Sequence, residues 1–258
     1  MIKLSVTIIT LNEERNIARC LQSVKNIADE VLVVDSLSTD NTAGIAKSLG
    51  AKVIEQKFTD YATQRNIATE QATYDWVLMM DADEVISPEL EKSILNMKNA
   101  PSCDIYFINR FTNYCGKWIK HCGWYPDKLI RLYNRTKGKW TGHLVHESWQ
   151  PNDQSDKTGL LKGDMLHYTF STIKEHVEQI HKFTELSAKA AADAGKNYGL
   201  MRLWLGPKWF FFSRFYLKLG FMDGYYGYLV CKLSAYAQLI KYSKTRQYNE
   251  MKRKGLPY

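Results

Sequence analysis

The 258-residue chain has few cysteines, and none is placed where common cysteine chemistry would need it. Cys20, Cys103, Cys115, Cys122 and Cys231 are odd in number, scattered, and include no CxxC pair. They read as free thiols of a reducing compartment, not as a disulfide framework. Cys115, His121 and Cys122 lie close in sequence, but a fourth ligand at a zinc spacing is missing and the grouping reads as incidental. No stretch approaches the ~20 uninterrupted apolar residues of a spanning helix. The early apolar run from Leu4 to Leu11 meets Asn12-Glu13-Glu14 too soon for a signal peptide, so the expected location is the cytoplasm. No GxGxxG follows that run and no GxxxxGKS/T occurs anywhere, which excludes a dinucleotide fingerprint and a P-loop. Phosphate would have to be held by another device, and a metal is the obvious one.

Acid is nearly absent from the last quarter. Residues 196–258 carry twelve Lys or Arg against Asp223 and Glu250, a local +10 in a chain of net +8, so the first 195 residues net −2. A basic tail of this kind meets an anionic partner, either nucleic acid or the anionic face of a membrane. Its cations are interleaved with Trp204, Trp209, Phe215, Tyr225 and Tyr228, which suits an interfacial helix or helical hairpin with rings at the headgroup level. A helical lid packed on the sheet, or a homo-oligomer contact, is the plainer alternative. No recognition motif accompanies the basic residues, so no nucleic-acid partner is expected.

What is present is a chain able to bury a real core, at 45% hydrophobic residues. Apolar runs alternate with helical patterns: Leu4–Thr10, Glu30–Asp35, Lys52–Glu55 and Trp76–Asp81 read as strands. Helices are expected from an Asn12 cap through about Val24, from Thr42 to Leu49 closed by Gly50, and over Tyr61–Ala72. This alternation predicts right-handed βαβ crossovers and an α/β fold with a doubly wound, mainly parallel sheet. Ser87-Pro88-Glu89 opens another helix, and Asp104–Arg110, Lys128–Tyr133 and Met165–Thr169 read as later strands. From Ser171 the pattern is helical, first through about Ala194 and then, after a break at Gly206-Pro207, over Trp209–Tyr242.

The chain is organised around Trp76–Glu84, WVLMMDADE, where five apolar residues end in three acids within four positions. The run suits a strand buried on both faces, so Asp81, Asp83 and Glu84 arrive at the carboxyl end, where open α/β sheets bind ligands. Three acids against a core edge repel one another unless a cation or donor compensates. Two carboxylates plus substrate phosphates are an ordinary setting for Mg²⁺ or Mn²⁺. A solvated turn with a helix cap is the bland reading of the tripeptide, and position after a buried strand disfavours it.

Together, SVTIITLNEE, VVDSLSTDNT, QRNIA, MMDADE and His146-Glu147 resemble the inverting glycosyltransferases of family 2, over roughly the first 170 residues. GWYPDKLIRLYNR and the late HYT are most similar to bacterial enzymes that add glucose to the inner core of lipopolysaccharide. The resemblance implies a GT-A domain over residues 1–170; the composition of residues 171–258 makes them a separate helical, aromatic and basic region, expected to associate with membrane or to oligomerise. It implies a nucleotide-sugar donor, UDP-glucose, and a glycolipid acceptor. Asp35 would hold the base or ribose, with Thr10, Asn12 and Glu13 lining the same pocket. Arg65 would reach the nucleotide or diphosphate, and Asp81 the ribose or metal. Asp83 would bind the metal, with His167 a further ligand. His146-Glu147 stands where many members have Glu-Asp, which makes Glu147 the expected base and Asp127 its reserve.

Each residue has a plainer reading. Asp35 suits a turn acid, Arg65 a solvated helix residue, Glu147 a partner of Lys139 or Arg131, and His167 a hydrogen-bonded core histidine. The competing reading of the whole is a catalytically silent sugar-nucleotide or lipid-binding module.

Overall fold

A computed structural model describes residues 1–142, 147–153 and 156–257. β1 (Leu4–Thr10) is buried along its whole length because strands flank it on both edges and helices cover both faces. It is followed by α1 (Ile17–Val24), β2 (Glu30–Asp35), α2 (Thr42–Ser48), β3 (Lys52–Glu55), α3 (Tyr61–Glu70) and β4 (Trp76–Asp81). These strands pair in parallel, β2 with β1 and β3, and β1 with β4. The register sets Thr10 beside Asp35 and Ile9 beside Asp81, so three of the expected site residues share one sheet end.

The apolar run of β4 is continuous because its alternate residues feed two cores. Leu78 and Met80 pack with Ile17, Leu21, Leu90 and Ile94, whereas Val77 and Met79 pack with Ala62, Ala68, Tyr133 and Trp140. Next come β5 (Glu84–Ile86) and α4 (Pro88–Asn99), whose Ser87 cap accepts from the Leu90 amide. β6 (Ile105–Tyr114), β7 (Lys117–Trp118), β8 (Asp127–Asn134), β9 (Gly138–Thr141), β10 (Ser148–Pro151) and β11 (Thr158–Phe170) complete the strands. The main sheet runs β3-β2-β1-β4-β8-β6-β11-β5, with β8 antiparallel to β4 and β5 antiparallel to β11. β9 and β10 form a separate hairpin.

The chain divides into two compact units, Met1–Phe111 with Asp127–Tyr168, and Thr112–Pro126 with Thr169–Tyr258. The second unit thus takes in the aromatic loop as well as the helical region. There α5 (Ile173–Asp193) opens with a Thr172–Glu175 capping box and packs against α7 (Gly224–Arg253), while α6 (Leu200–Phe212) packs on α7. Tyr114, Ile119, Cys122, Phe170, Val230 and Cys231 form its core. Asp223, almost fully buried, accepts from the amides of Lys120 and His121.

Three expectations need correction. The sheet is mixed and not mainly parallel: among the described pairings β1–β2, β2–β3 and β1–β4 are parallel, whereas β4–β8, β6–β8, β6–β7 and β5–β11 are antiparallel, since β6, β7 and β8 follow one another without a crossover helix. Asn12 does not cap a helix: α1 starts at Ile17, and Asn12 adopts a left-handed φ of 55° with its side-chain carbonyl accepting from the Thr39 amide. Helix α6 continues through Gly206-Pro207, and the break falls at residues 213–223. Gly206 serves close packing, since a Cβ there would lie 3.1 Å from the Tyr242 ring.

Candidate active site

The carboxyl end of β4 carries a buried ion network. Asp81 Oδ1 accepts from Arg65 Nη2 at 2.8 Å, and Oδ2 accepts from Arg131 Nη2 at 2.8 Å. The same Arg131 nitrogen donates to Glu84 Oε1 at 3.0 Å, while Glu84 Oε2 accepts the Asp81 amide at 2.9 Å. Arg65 comes from α3 and Arg131 from β8, which places Leu132 opposite Leu78. Burial alone would raise the Asp81 pKa, but Arg131 and Arg65 outweigh it and hold the carboxyl well below the usual range. Burial raises the Glu84 pKa despite Arg131, because Glu84 has no exposed surface and Asp81 is close.

Asp81 and Asp83, expected to share one cation, turn to different partners. Asp83 Oδ2 lies 3.2 Å from His167 Nε2, on the strand where β11 sets His167 opposite Glu84. Burial works against protonation of His167, and Asp83 outweighs it, so the His167 pKa is raised. Among the described residues no group of three His, Cys, Asp or Glu side chains converges as a metal cage. The Asp83–His167 pair still fits Mg²⁺ or Mn²⁺, as one carboxylate and one imidazole with further positions left to phosphate and water.

Asp35 is buried and accepts from both the amide and hydroxyl of Ser38. Glu13 accepts from Asn16 Nδ2 at 2.7 Å, and burial pushes its carboxyl up to about 7. Along this edge several buried polar atoms have no hydrogen-bond partner among the described residues: Thr10 Oγ1, Gln64 Oε1, and Nε and Nη1 of Arg65. Such atoms are rare in folded proteins and are commonly satisfied by water or ligand.

Glu147 lies just before β10, and its Oε1 is 3.5 Å from Arg65 Nη2. The hairpin is fixed by reciprocal bonds between Asn66 of α3 and the Trp140 backbone, with the Arg65 guanidinium 4.9 Å from the Trp140 ring centre. His146, its expected companion, lies outside the described residues. Asp127 has a different partner: its Oδ2 takes two bonds from Arg110, at 2.8 and 3.0 Å. Arg131 escaped the sequence reading except as a structural partner for Glu147. An arginine in the middle of the strand KLIRLY was the available signal.

The model of the family described as glycosyl transferase family 2 matches residues 5–153, more than half of the chain. The chain belongs to glycosyltransferase family 2. An uncharacterized glycosyltransferase of Rickettsia typhi is 35% identical over 256 residues, covering 96% of this chain and 88% of that one. The lipopolysaccharide core biosynthesis glycosyltransferase LpsC of Rhizobium meliloti is 28% identical over 230 residues, covering 84% of this chain and 82% of that one. A crystal structure of S. aureus TarS with UDP-GlcNAc is 18% identical, covers 99% of this chain and 93% of that chain, and has a TM-score of 0.48, a likeness too slight to argue from. The expected family and GT-A fold are therefore borne out: this family 2 glycosyltransferase carries a mixed sheet with helices, followed by a helical region rich in aromatics.

Proposed function

We propose that this family 2 glycosyltransferase is a divalent-metal-dependent, inverting hexosyltransferase that moves glucose from UDP-glucose to a lipopolysaccharide-core or related glycolipid. It would work at the inner face of the cytoplasmic membrane. The observation that carries the reading is the gathering at one sheet end of Asp35, the unpartnered polar atoms of Thr10, Gln64 and Arg65, and the Asp83–His167 pair. A nucleoside diphosphate has the groups such an edge lacks: hydroxyls and base polar atoms for Thr10 and Gln64, and anionic oxygens for Arg65. The likeness to LpsC supports a lipopolysaccharide-core acceptor.

Asp83 and His167 would hold the cation, which when bound neutralises the charge of the departing diphosphate. Glu147 takes the proton of the attacking acceptor hydroxyl as that oxygen bonds to the anomeric carbon and the bond to the diphosphate breaks. One displacement inverts the anomeric centre. Glu147 is preferred to Asp127 because it adjoins Arg65 and so the donor edge, whereas Asp127 is occupied by Arg110.

A screen of UDP- and GDP-sugars, with Mn²⁺ and a crude glycolipid acceptor, tests the reading by nucleotide release. Acceptor-stimulated UDP release from UDP-glucose is expected. No turnover with any donor, alongside retained nucleotide binding, would favour a silent binding module.

A further inference from the structure

Helix α6 inverts the usual pattern of an amphipathic helix. None of its residues is buried, and its large apolar side chains at 201, 204, 205, 209 and 212 recur at i, i+3, i+4, i+8 and i+11, one helical face. That face is turned outward: Met201 is 76% exposed, Trp204 69% and Trp209 63%. The apolar surface continues through the turn after α6, where Leu217, Phe221 and Met222 are each about half exposed. Soluble chains seldom leave so large an apolar patch without a partner.

The charge around the patch has one sign. Arg202, Lys208 and Lys218 are exposed within it, and Lys208 Nζ sits 5.0 Å from the Trp204 ring centre. From residue 194 to residue 249 the sequence has one acid, Asp223, and that side chain is buried on the Lys120 and His121 amides. The surface therefore offers rings and cations with no exposed carboxylate between them.

We infer that the outer face of α6, with the turn that follows it, is a membrane-insertion surface for anionic phospholipid. The inference rests on the peripheral placement proposed above and names the surface that makes it. Tryptophan and tyrosine favour the level of the headgroups, and lysine and arginine gain from anionic lipid there. A helix of this kind lies in the interface plane, and no helix among the described residues is long and apolar enough to cross. A second copy of the chain fits less well, because a two-fold contact through this face would set its cations against one another.

The test is sedimentation of the full chain with vesicles of phosphatidylcholine, pure or containing about a quarter phosphatidylglycerol. Binding is expected to the anionic vesicles and to weaken with salt. The Trp204→Ser/Trp209→Ser variant changes only exposed side chains, and should keep its melting temperature and donor turnover while losing vesicle affinity at least about tenfold. A Lys208→Ser/Lys218→Ser variant should lose the preference for anionic vesicles. A wild-type chain that pellets with neither vesicle overturns the peripheral placement and this inference together. Equal pelleting of wild type and the tryptophan variant overturns the surface assignment alone. A dimer that the tryptophan variant dissolves, without vesicle binding, would make the occupant a second copy and refute the inference.

Discussion

The Nη2 of Arg131 lies 3.0 Å from Oε1 of Glu84, a carboxylate with no exposed surface, and the same nitrogen holds Asp81 at 2.8 Å. Removing one partner of a buried pair strands the other's charge. Arg131→Met should therefore destabilise the fold by ~3–5 kcal/mol, read by urea denaturation. Adding Glu84→Gln should recover part of that loss. Additive losses in the double variant would show that the two side chains are not coupled.

Glu13 gives a pH signature. Burial raises its carboxyl from 4.5 to about 7, against the Asn16 hydrogen bond, with Asp83, Asp40 and Asp81 adding to the rise. A group that binds its proton more tightly when folded stabilises below its unfolded pKa, and the contribution is lost as pH climbs from about 4.5 through about 7. Glu13→Gln removes the ionisation. Its stability relative to wild type should grow by ~1–3 kcal/mol between about pH 5 and pH 8. A constant gap across that range would contradict the assignment.

The base is tested by a pair of variants. Glu147→Gln should bind UDP normally and lose transfer by ~10²–10⁴-fold in kcat. Asp127→Asn should stay within a few-fold of wild type, since Arg110 already occupies that carboxylate. The reverse pattern would move the base to Asp127.

Gly163 lies within β11 at a φ of 89°, and a Cβ there would come 2.3 Å from the Leu90 amide nitrogen. The adjoining Asp164 amide donates to Ser87, the cap of α4, so strand and helix start are held together. Gly163→Ala should cost more than about 2 kcal/mol and lower Tm by several degrees in a calorimetric scan. An unchanged Tm would show that this contact relaxes freely.

β1, β2 and β4 were legible because each is flanked by turn chemistry and largely buried, so its apolar run starts and stops sharply, whereas the edge strand β3 shows itself only as the short run Lys52–Glu55. Trp76–Asp81 is the plainest case. What failed were features decided at long range. Asn12 looks like a cap locally, and its side chain is instead taken by Thr39 across the next loop. Gly206-Pro207 looks like a break, and packing near Tyr242 carries the helix through it. At the site, MMDADE announces acids at a strand end, but nothing in it announces that Arg65 and Arg131 occupy Asp81. Arg131 lies fifty residues later, and its role depends on β8 running antiparallel beside β4.

If a nucleoside diphosphate and a divalent cation bind together where β4 ends, with Asp83 and His167 on the cation, manganese should tighten UDP binding through Asp83. Isothermal titration of UDP into wild type and Asp83→Ala, each with and without Mn²⁺, tests it most directly. Wild type should bind UDP at least about tenfold more tightly with Mn²⁺, and Asp83→Ala should bind it weakly and equally in both conditions. A manganese enhancement that survives Asp83→Ala undiminished would contradict the account.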